Sequence, residues 1–202
     1  MRRLKFFVPL FALVLSACGY NRIQQLDEQV NGFESQIKVQ LQRRFDLIPN
    51  LVETVRGYAA HESAVFTAVA DARSRLGGAI QSNDVSGMAA ANQQMNGALS
   101  RLIAIAEAYP DLKANENFRS LQDQLEGTEN RIATARADYN TSVQTYNGYI
   151  RQFPQVLTAK VTGKKARTYF ETTTPGATEA PRVDFGNPGA APAPPARDTA
   201  KR

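Results

Sequence analysis

Residues 40–62 read QLQRRFDLIPNLVETVRGYAAHE, and how this run folds decides the architecture. Its apolar residues Leu41, Phe45, Ile48, Val52, Val55 and Ala59 recur at intervals of four, three, four, three and four, the spacing of one helix face turned to a core. Pro49 interrupts the run. It carries no backbone N–H and crowds the carbonyl of Phe45, so a helix there must bend or break. The apolar phase does not slip across it, and a loop would have no reason to keep that register. One bent helix is therefore expected, with the freed Phe45 carbonyl taken up by Asn50 or an arginine. The alternative, two helices joined by a loop at Pro49, adds one helix to the count.

The same periodicity extends outward in both directions. Upstream lie Ile23, Leu26, Val30, Phe33 and Ile37, and downstream Phe66, Val69 and Leu76. Residues 21–76 then form a bent rod of about 80 Å at 1.5 Å per residue, ended by Gly77-Gly78. Ser82, Asn83 and Asp84 offer cap oxygens to a second helix, which carries Val85, Met88, Met95, Leu99, Leu102, Ala106 and Tyr109 on one face until Pro110 stops it. Residues 115–117 open a third, with Phe118, Leu121, Leu125, Ile132, Ala135, Tyr139, Val143, Tyr146, Ile150 and Phe153 on a nearly heptad face until Pro154. Short connections between long helices require antiparallel neighbours. The expected fold class is all-α: an antiparallel up-and-down bundle of three to four long helices over residues 21–171. No apolar–polar alternation bounded by turns marks a strand.

Residues 153–171 have a different texture, mixing Val156, Leu157, Val161, Tyr169 and Phe170 with Lys160, Lys164, Lys165 and Arg167. A short helix ended by Gly163 and docked on the bundle is the preferred reading, because aromatic side chains bury more often than they insert in lipid. The alternative is an interfacial segment over residues 156–170 whose basic side chains meet lipid phosphates. Residues 172–202 place Pro175, Pro181, Pro188, Pro192, Pro194 and Pro195 among Gly, Ala and Thr. Such a tail cannot bury enough apolar area to order itself and reads as disordered.

Residues 1–17 have the layout of a secretory leader, with Arg2, Arg3 and Lys5 before an apolar run over residues 6–15. That run is about half of the roughly 20 residues a spanning helix needs. Leu15-Ser16-Ala17-Cys18 resembles the bacterial lipobox, which implies that Cys18 takes a diacylglyceryl thioether and palmitate-type acyl chains, residues 18–20 forming the lipidated anchor. Several acyl chains anchor stably where one is marginal. Gly19 in place of Asp resembles the outer-membrane sorting signal of Gram-negative lipoproteins. Cys18 is the sole cysteine, so no disulfide can form within the chain.

The net charge of +5 invites a search for nucleic acid, but it is unevenly placed. Residues 20–171 hold 17 basic against 16 acidic side chains, too even for a phosphate-binding footprint, and nucleic acid is set aside as a partner. Chemistry is equally sparse. His61 is the only histidine. Beside Glu62, Glu53 and Arg56 it is the natural acid–base or metal candidate, yet one imidazole without cysteine partners makes a poor metal site. A structural role, a hydrogen bond across helices or at a helix end, is expected instead. Carboxylates in a bundle bind two metals when Glu-x-x-His motifs face each other, which one histidine cannot supply. The charges of Arg43, Arg44 and Asp46, of Glu53 and Arg56, of Asp71 and Arg75, and of Glu126, Glu129, Arg131 and Arg136 read as ion pairs, with Arg44 and Glu53 nearest the apolar seam. No nucleophile elbow or phosphate-binding glycine loop is present. No enzyme, no cofactor and no metal are expected.

The run RRFDLIPNLVETVRGY at residues 43–58, followed by Ala59, His61 and Glu62, resembles the signature of the LemA family. The resemblance continues through EAYPDLKANENFRSLQDQLEGTENRIATARADYN at residues 107–140, Tyr146-Asn147 and Phe153-Pro154, and covers residues 20–171. It implies a helical bundle held at a membrane without established enzymatic activity. It also singles out Arg43, Arg44, Asp46, Pro49, Asn50, Glu53, Tyr58, His61, Glu62, Tyr109, Pro110 and Asn140 as structural or interaction residues. A leader ending in a lipobox departs from much of that family, whose members commonly carry a longer N-terminal apolar helix. The functional expectation is a lipid-anchored, periplasm-facing envelope protein acting as a scaffold or adaptor for envelope protein partners, in membrane organisation or envelope stress. The alternative is a membrane-remodelling or lipid-binding module. Oligomeric state and partner identity stay open.

Overall fold

The computed structural model describes the backbone of residues 4–171 and the side chains of residues 19–171. The expectations for a leader at residues 1–17, acylation at Cys18 and a disordered tail at residues 172–202 fall outside those side chains and residues. Among the described residues the chain is all-α, with helices α1 (Leu4–Arg56), α2 (Ser63–Ser82), α3 (Val85–Ala108), α4 (Pro110–Ala114), α5 (Glu116–Ile150) and α6 (Gln155–Val161).

Helix α1 passes through Pro49 without a break. Apart from Leu26, its buried side chains fall on two strings of period seven, Ile23, Val30, Ile37, Arg44 and Leu51 on one, Asp27, Leu41, Ile48 and Val55 on the other, where the half-buried Glu34 fills the gap. A strict seven-residue repeat is the pattern of a helix that keeps one seam against a long partner. That partner is α5, which runs back along α1 and buries Phe118, Leu125, Ile132, Ala135, Tyr139, Val143, Tyr146 and Ile150. Phe45 and Val52, expected on the same face as Leu41, are only half-buried, because they turn toward α2.

The expected rod to Leu76 does not form. α1 ends at Arg56, and the Val55 carbonyl accepts from both Tyr58 N (3.0 Å) and Ala59 N (2.9 Å), folding the chain back. Gly57, exposed and costly in a helix, sits at the reversal, and the small Ala59 plugs the end of the core. The bundle therefore has four long helices, but the break that makes the fourth lies at residues 57–62 and not at Pro49.

Two other expected stops move, those at Gly77-Gly78 and Pro154, while α3 ends directly before Pro110 as expected. α2 runs through Gly77-Gly78 to Ser82 and ends at Asn83, whose left-handed φ of 54° terminates it. Asp84 precedes α3 without a side-chain cap bond. Pro110 follows the end of α3 and opens α4, where its missing N–H costs nothing. Asn115 caps α5 by accepting from Phe118 N at 3.0 Å. Hairpin α2–α3 covers the C-terminal half of α1, while α6 packs beside its N-terminal part. A Cβ at Gly19 would lie 3.3 Å from Gln155 Cγ. Helix α5 ends at Ile150, so Phe153, expected in the core, is 81% exposed.

Candidate functional site

Two polar constructions interrupt the apolar seam, each answering a need created by the sequence, and a third feature opens beside it. The first is at Arg44, which occupies a core position of α1 and is buried. One Nη donates to Asn92 Oδ1 on α3 at 3.0 Å and also pairs with the Glu129 carboxylate of α5, whose other oxygen accepts from Asn96 Nδ2 at 3.1 Å. Burial lowers the Arg44 pKa, and Glu129 restores part of it. A buried charge needs such partners. The network ties three helices together at one level.

The second construction receives the chain after α6. Residues 164–170 are extended and lie across α5 and α1. Asn147 donates Nδ2 to the Arg167 carbonyl (2.9 Å) and accepts the Arg167 N–H (2.8 Å); Asn140 does the same for Phe170 (3.2 and 2.8 Å). The spacing explains the fit. Seven helical residues rise about 10.5 Å, and three extended residues span about 10 Å, so a pair of asparagines two turns apart meets every third residue. Tyr139 Oη donates to Thr168 O at 2.8 Å, and burial, with the Glu34 charge adding, pushes its pKa up to about 12. Asp27 closes the clamp, accepting from Lys164 Nζ (2.7 Å) and from Arg167 Nε and Nη2 (3.0 and 2.7 Å), while Arg167 Nη2 also reaches Asn31 Oδ1 (2.8 Å). Burial pushes the Asp27 carboxyl up, but the hydrogen bonds and charges of Lys164 and Arg167 outweigh it and hold the carboxyl below its ordinary value. Residues 164–170, the part of the 153–171 segment after its short helix, thus dock on protein. Arg167 and Lys164 are clamp residues.

The third is a groove at Pro49, between α1 and α2. Phe45, Ile48, Pro49, Val52, Phe66 and Val69 wall it, with a volume of about 640 Å³. The Arg73 guanidinium stacks 3.8 Å from the Phe45 ring centre and its Nε donates to Phe45 O at 3.3 Å; Arg56 lies 5.3 Å from the Phe66 ring centre. Its walls combine the buried Ile48, Phe66 and Val69 with the half-buried Phe45, Pro49 and Val52, and guanidinium groups and the exposed Glu53 edge it.

The residues singled out from sequence divide accordingly. Pro49, Glu53 and Arg44 belong to the groove or the seam network, and Asn140 to the clamp. Glu53 is exposed and pairs with Arg56 at 2.8 Å rather than with the seam. Arg43 is exposed; Asp46 accepts from Gln42 Nε2 at 2.9 Å; the Asn50 carbonyl accepts from Thr54 Oγ1 at 2.8 Å, and among side chains it is Arg73 that donates to the Phe45 carbonyl. Tyr58 Oη accepts from Asn115 Nδ2 at 3.0 Å, joining the 57–62 turn to the start of α5. His61 is exposed in that turn with no hydrogen bond among the described residues, contrary to the bonded role expected. Glu62 precedes α2 without a side-chain cap bond, and Tyr109 and Pro110 shape the α3–α4 corner. Arg75 bonds Gln94 (3.2 Å), not Asp71. Sequence reasoning missed Asp27, Asn31, Asn92, Asn96 and Asn147. Asp27 and Arg44 carried a signal, being polar residues at core phase of a heptad.

Among the described residues no three His, Cys, Asp or Glu side chains group as metal ligands, and no helix is long and apolar enough to cross a membrane. Residues 33–185 match the model of the LemA family. The chain is 30% identical over 175 residues to magnetosome proteins MamQ 1 and MamQ 2 of Paramagnetospirillum magneticum, covering 75% of this chain and 64% of each of those. It is 29% identical over 174 residues to magnetosome protein MamQ of Magnetospirillum gryphiswaldense, with the same shares. The chain thus spans less than two thirds of the length of these relatives.

Proposed function

The chain belongs to the LemA family, and from that premise we propose that it is a lipid-anchored, non-catalytic scaffold of a bacterial envelope, holding a partner-binding groove away from the membrane. The observation that carries this reading is the continuity of α1. One helix runs from beside Cys18 to the Pro49 groove, about 45 Å at 1.5 Å per residue. A stiff arm with an acyl anchor at one end and a half-apolar groove at the other is a spacer and a docking post. Its relatives are named for a structure, the magnetosome, and not for a reaction, which supports a part in a membrane assembly. Gly19 after the cysteine supports an outer-membrane address facing the periplasm. In membrane organisation or envelope stress such an arm would position other envelope proteins.

Affinity capture of the anchored protein from solubilised envelopes tests the reading, with Val52→Asp and Arg73→Glu as groove variants that leave the seam network and clamp untouched. A partner recovered with the native chain and lost with both variants supports the scaffold. Turnover of an envelope substrate by the purified chain would contradict it.

A further inference from the structure

Four of the six large apolar side chains exposed among the described residues, Tyr20, Phe153, Leu157 and Val161, belong to the part of α1 just after Cys18 or to α6 and the turn before it. Leu157 and Val161, spaced i and i+4, share one side of α6, and Phe153 is exposed in the turn just before it. Phe153 and Val161 are 81% and 88% exposed, whereas Ala159 on the opposite side is buried against the bundle. A helix that docks by one face and leaves its largest apolar groups outward is unpartnered on that face. The charges around it are of one sign. Residues 141–170 contain five basic side chains and no acidic one. Lys164 and Arg167 are consumed by Asp27, which leaves Arg151, Lys160 and Lys165 exposed and without an ion pair among the described residues.

The position of this face decides its occupant. A Cβ at Gly19 would come within 3.3 Å of Gln155 Cγ and 4.0 Å of Thr158 Oγ1, so α6 lies against the first residue after Cys18. We infer that α6 is a second membrane contact: Phe153, Leu157 and Val161 enter the headgroup–acyl boundary of the leaflet, and Arg151, Lys160 and Lys165 meet anionic lipid phosphates. This rests on the anchored reading for its placement. Apolar residues with basic flanks match an interfacial helix, and the acyl chains at Cys18 hold this face at the leaflet. The asparagine clamp and the Asp27 ion pairs fix the chain that follows α6, so this face is presented by a rigid body. Acyl anchor and face together would set the tilt of the bundle, which the anchor alone leaves free.

The test uses the intact acylated protein in vesicles of phosphatidylethanolamine and phosphatidylglycerol. Acylation blocks Cys18, so nitroxide labels report only from Leu157→Cys, Val161→Cys, or Val39→Cys as the reference, a 62% exposed site on α1. Collision with oxygen, which partitions into lipid, is compared with collision with a water-soluble nickel chelate. A label buried in the interface should give an oxygen-to-nickel ratio about fivefold or more above the reference, falling when phosphatidylglycerol is replaced by phosphatidylcholine. Ratios at 157 and 161 equal to that at 39 would overturn the inference. So would shielding from both reagents with spin–spin broadening, which would assign the face to a second copy. If the chain leaves the vesicles on alkaline washing, the anchor fails instead, and the same labels on protein mixed with vesicles still decide the face.

Discussion

Arg73 Nε donates to the Phe45 carbonyl oxygen at 3.3 Å, the carbonyl that Pro49, four residues on, leaves without its helical donor. The guanidinium also stacks on the Phe45 ring at 3.8 Å. One side chain from α2 thus repairs the α1 ladder and covers an aromatic wall of the groove. Arg73→Ala removes a hydrogen bond and a partly exposed cation–π contact, a loss of about 1–2 kcal/mol, read by denaturant unfolding. Pro49→Ala supplies a competing N–H to the same carbonyl, so stability should stay near neutral while groove binding changes.

The two adjacent glycines of α2 should respond oppositely to alanine. Gly78 is exposed with open space around its Cβ position, so Gly78→Ala should stabilise by up to about 1 kcal/mol. A Cβ at Gly77 would stand 3.0 Å from Phe45 Cε2 and push the ring that Arg73 covers. Gly77→Ala should therefore gain nothing, and thermal unfolding of the two variants separates them.

Arg44 and Glu129 predict a contrast between breaking a buried pair and replacing it. Arg44→Ala strands the buried Asn92 and opens a cavity, at a cost of about 3 kcal/mol, the low end for buried pairs because Glu129 is partly exposed and can rehydrate. Arg44→Met combined with Glu129→Gln keeps the volume and removes both charges, so it should cost less than Arg44→Ala, leaving about 1–2 kcal/mol for the unpaired Asn92. Chemical denaturation of both proteins checks the pair.

The Asp27 clamp carries an acid dependence. Lys164 and Arg167 hold its carboxyl below the ordinary aspartate value of 3.8 in the folded chain, so its stabilisation is present above about that pH and is lost as pH falls through the lower folded value. Amide exchange at residues 164–170 should accelerate across that window in the native chain. In Asp27→Asn the segment should already be loosened at neutral pH, by about 1.5–3 kcal/mol for the charged hydrogen bonds, with the acid step gone.

Much of this bundle was legible because apolar periodicity survives wherever one helix faces one partner. The α5 stripe from Phe118 to Ile150 and the passage of α1 through Pro49 follow from register alone. The turn at residues 57–62 was not legible, since Phe66, Val69 and Leu76 keep a helical spacing whether α2 continues α1 or folds back on it. Gly57 was the one local mark of the reversal. Gly77-Gly78 misled in the other direction: a glycine pair resembles a stop, but Gly77 is there to admit the Phe45 ring from α1, a contact 32 positions away in the chain. The clamp was hidden for the same reason. Asn140 stood in a family-like block, yet its partner Phe170 lies across a chain reversal, and only geometry shows that Asn147 repeats the grip two turns later.

The intact mass of the protein purified from its native membranes tests the anchored-arm account most directly. The account predicts a mature chain whose first residue is Cys18 carrying a diacylglyceryl group, and an unprocessed, unacylated chain for Cys18→Ser. A membrane-bound native chain that retains residues 1–17, or whose Cys18 is a free thiol, would contradict it.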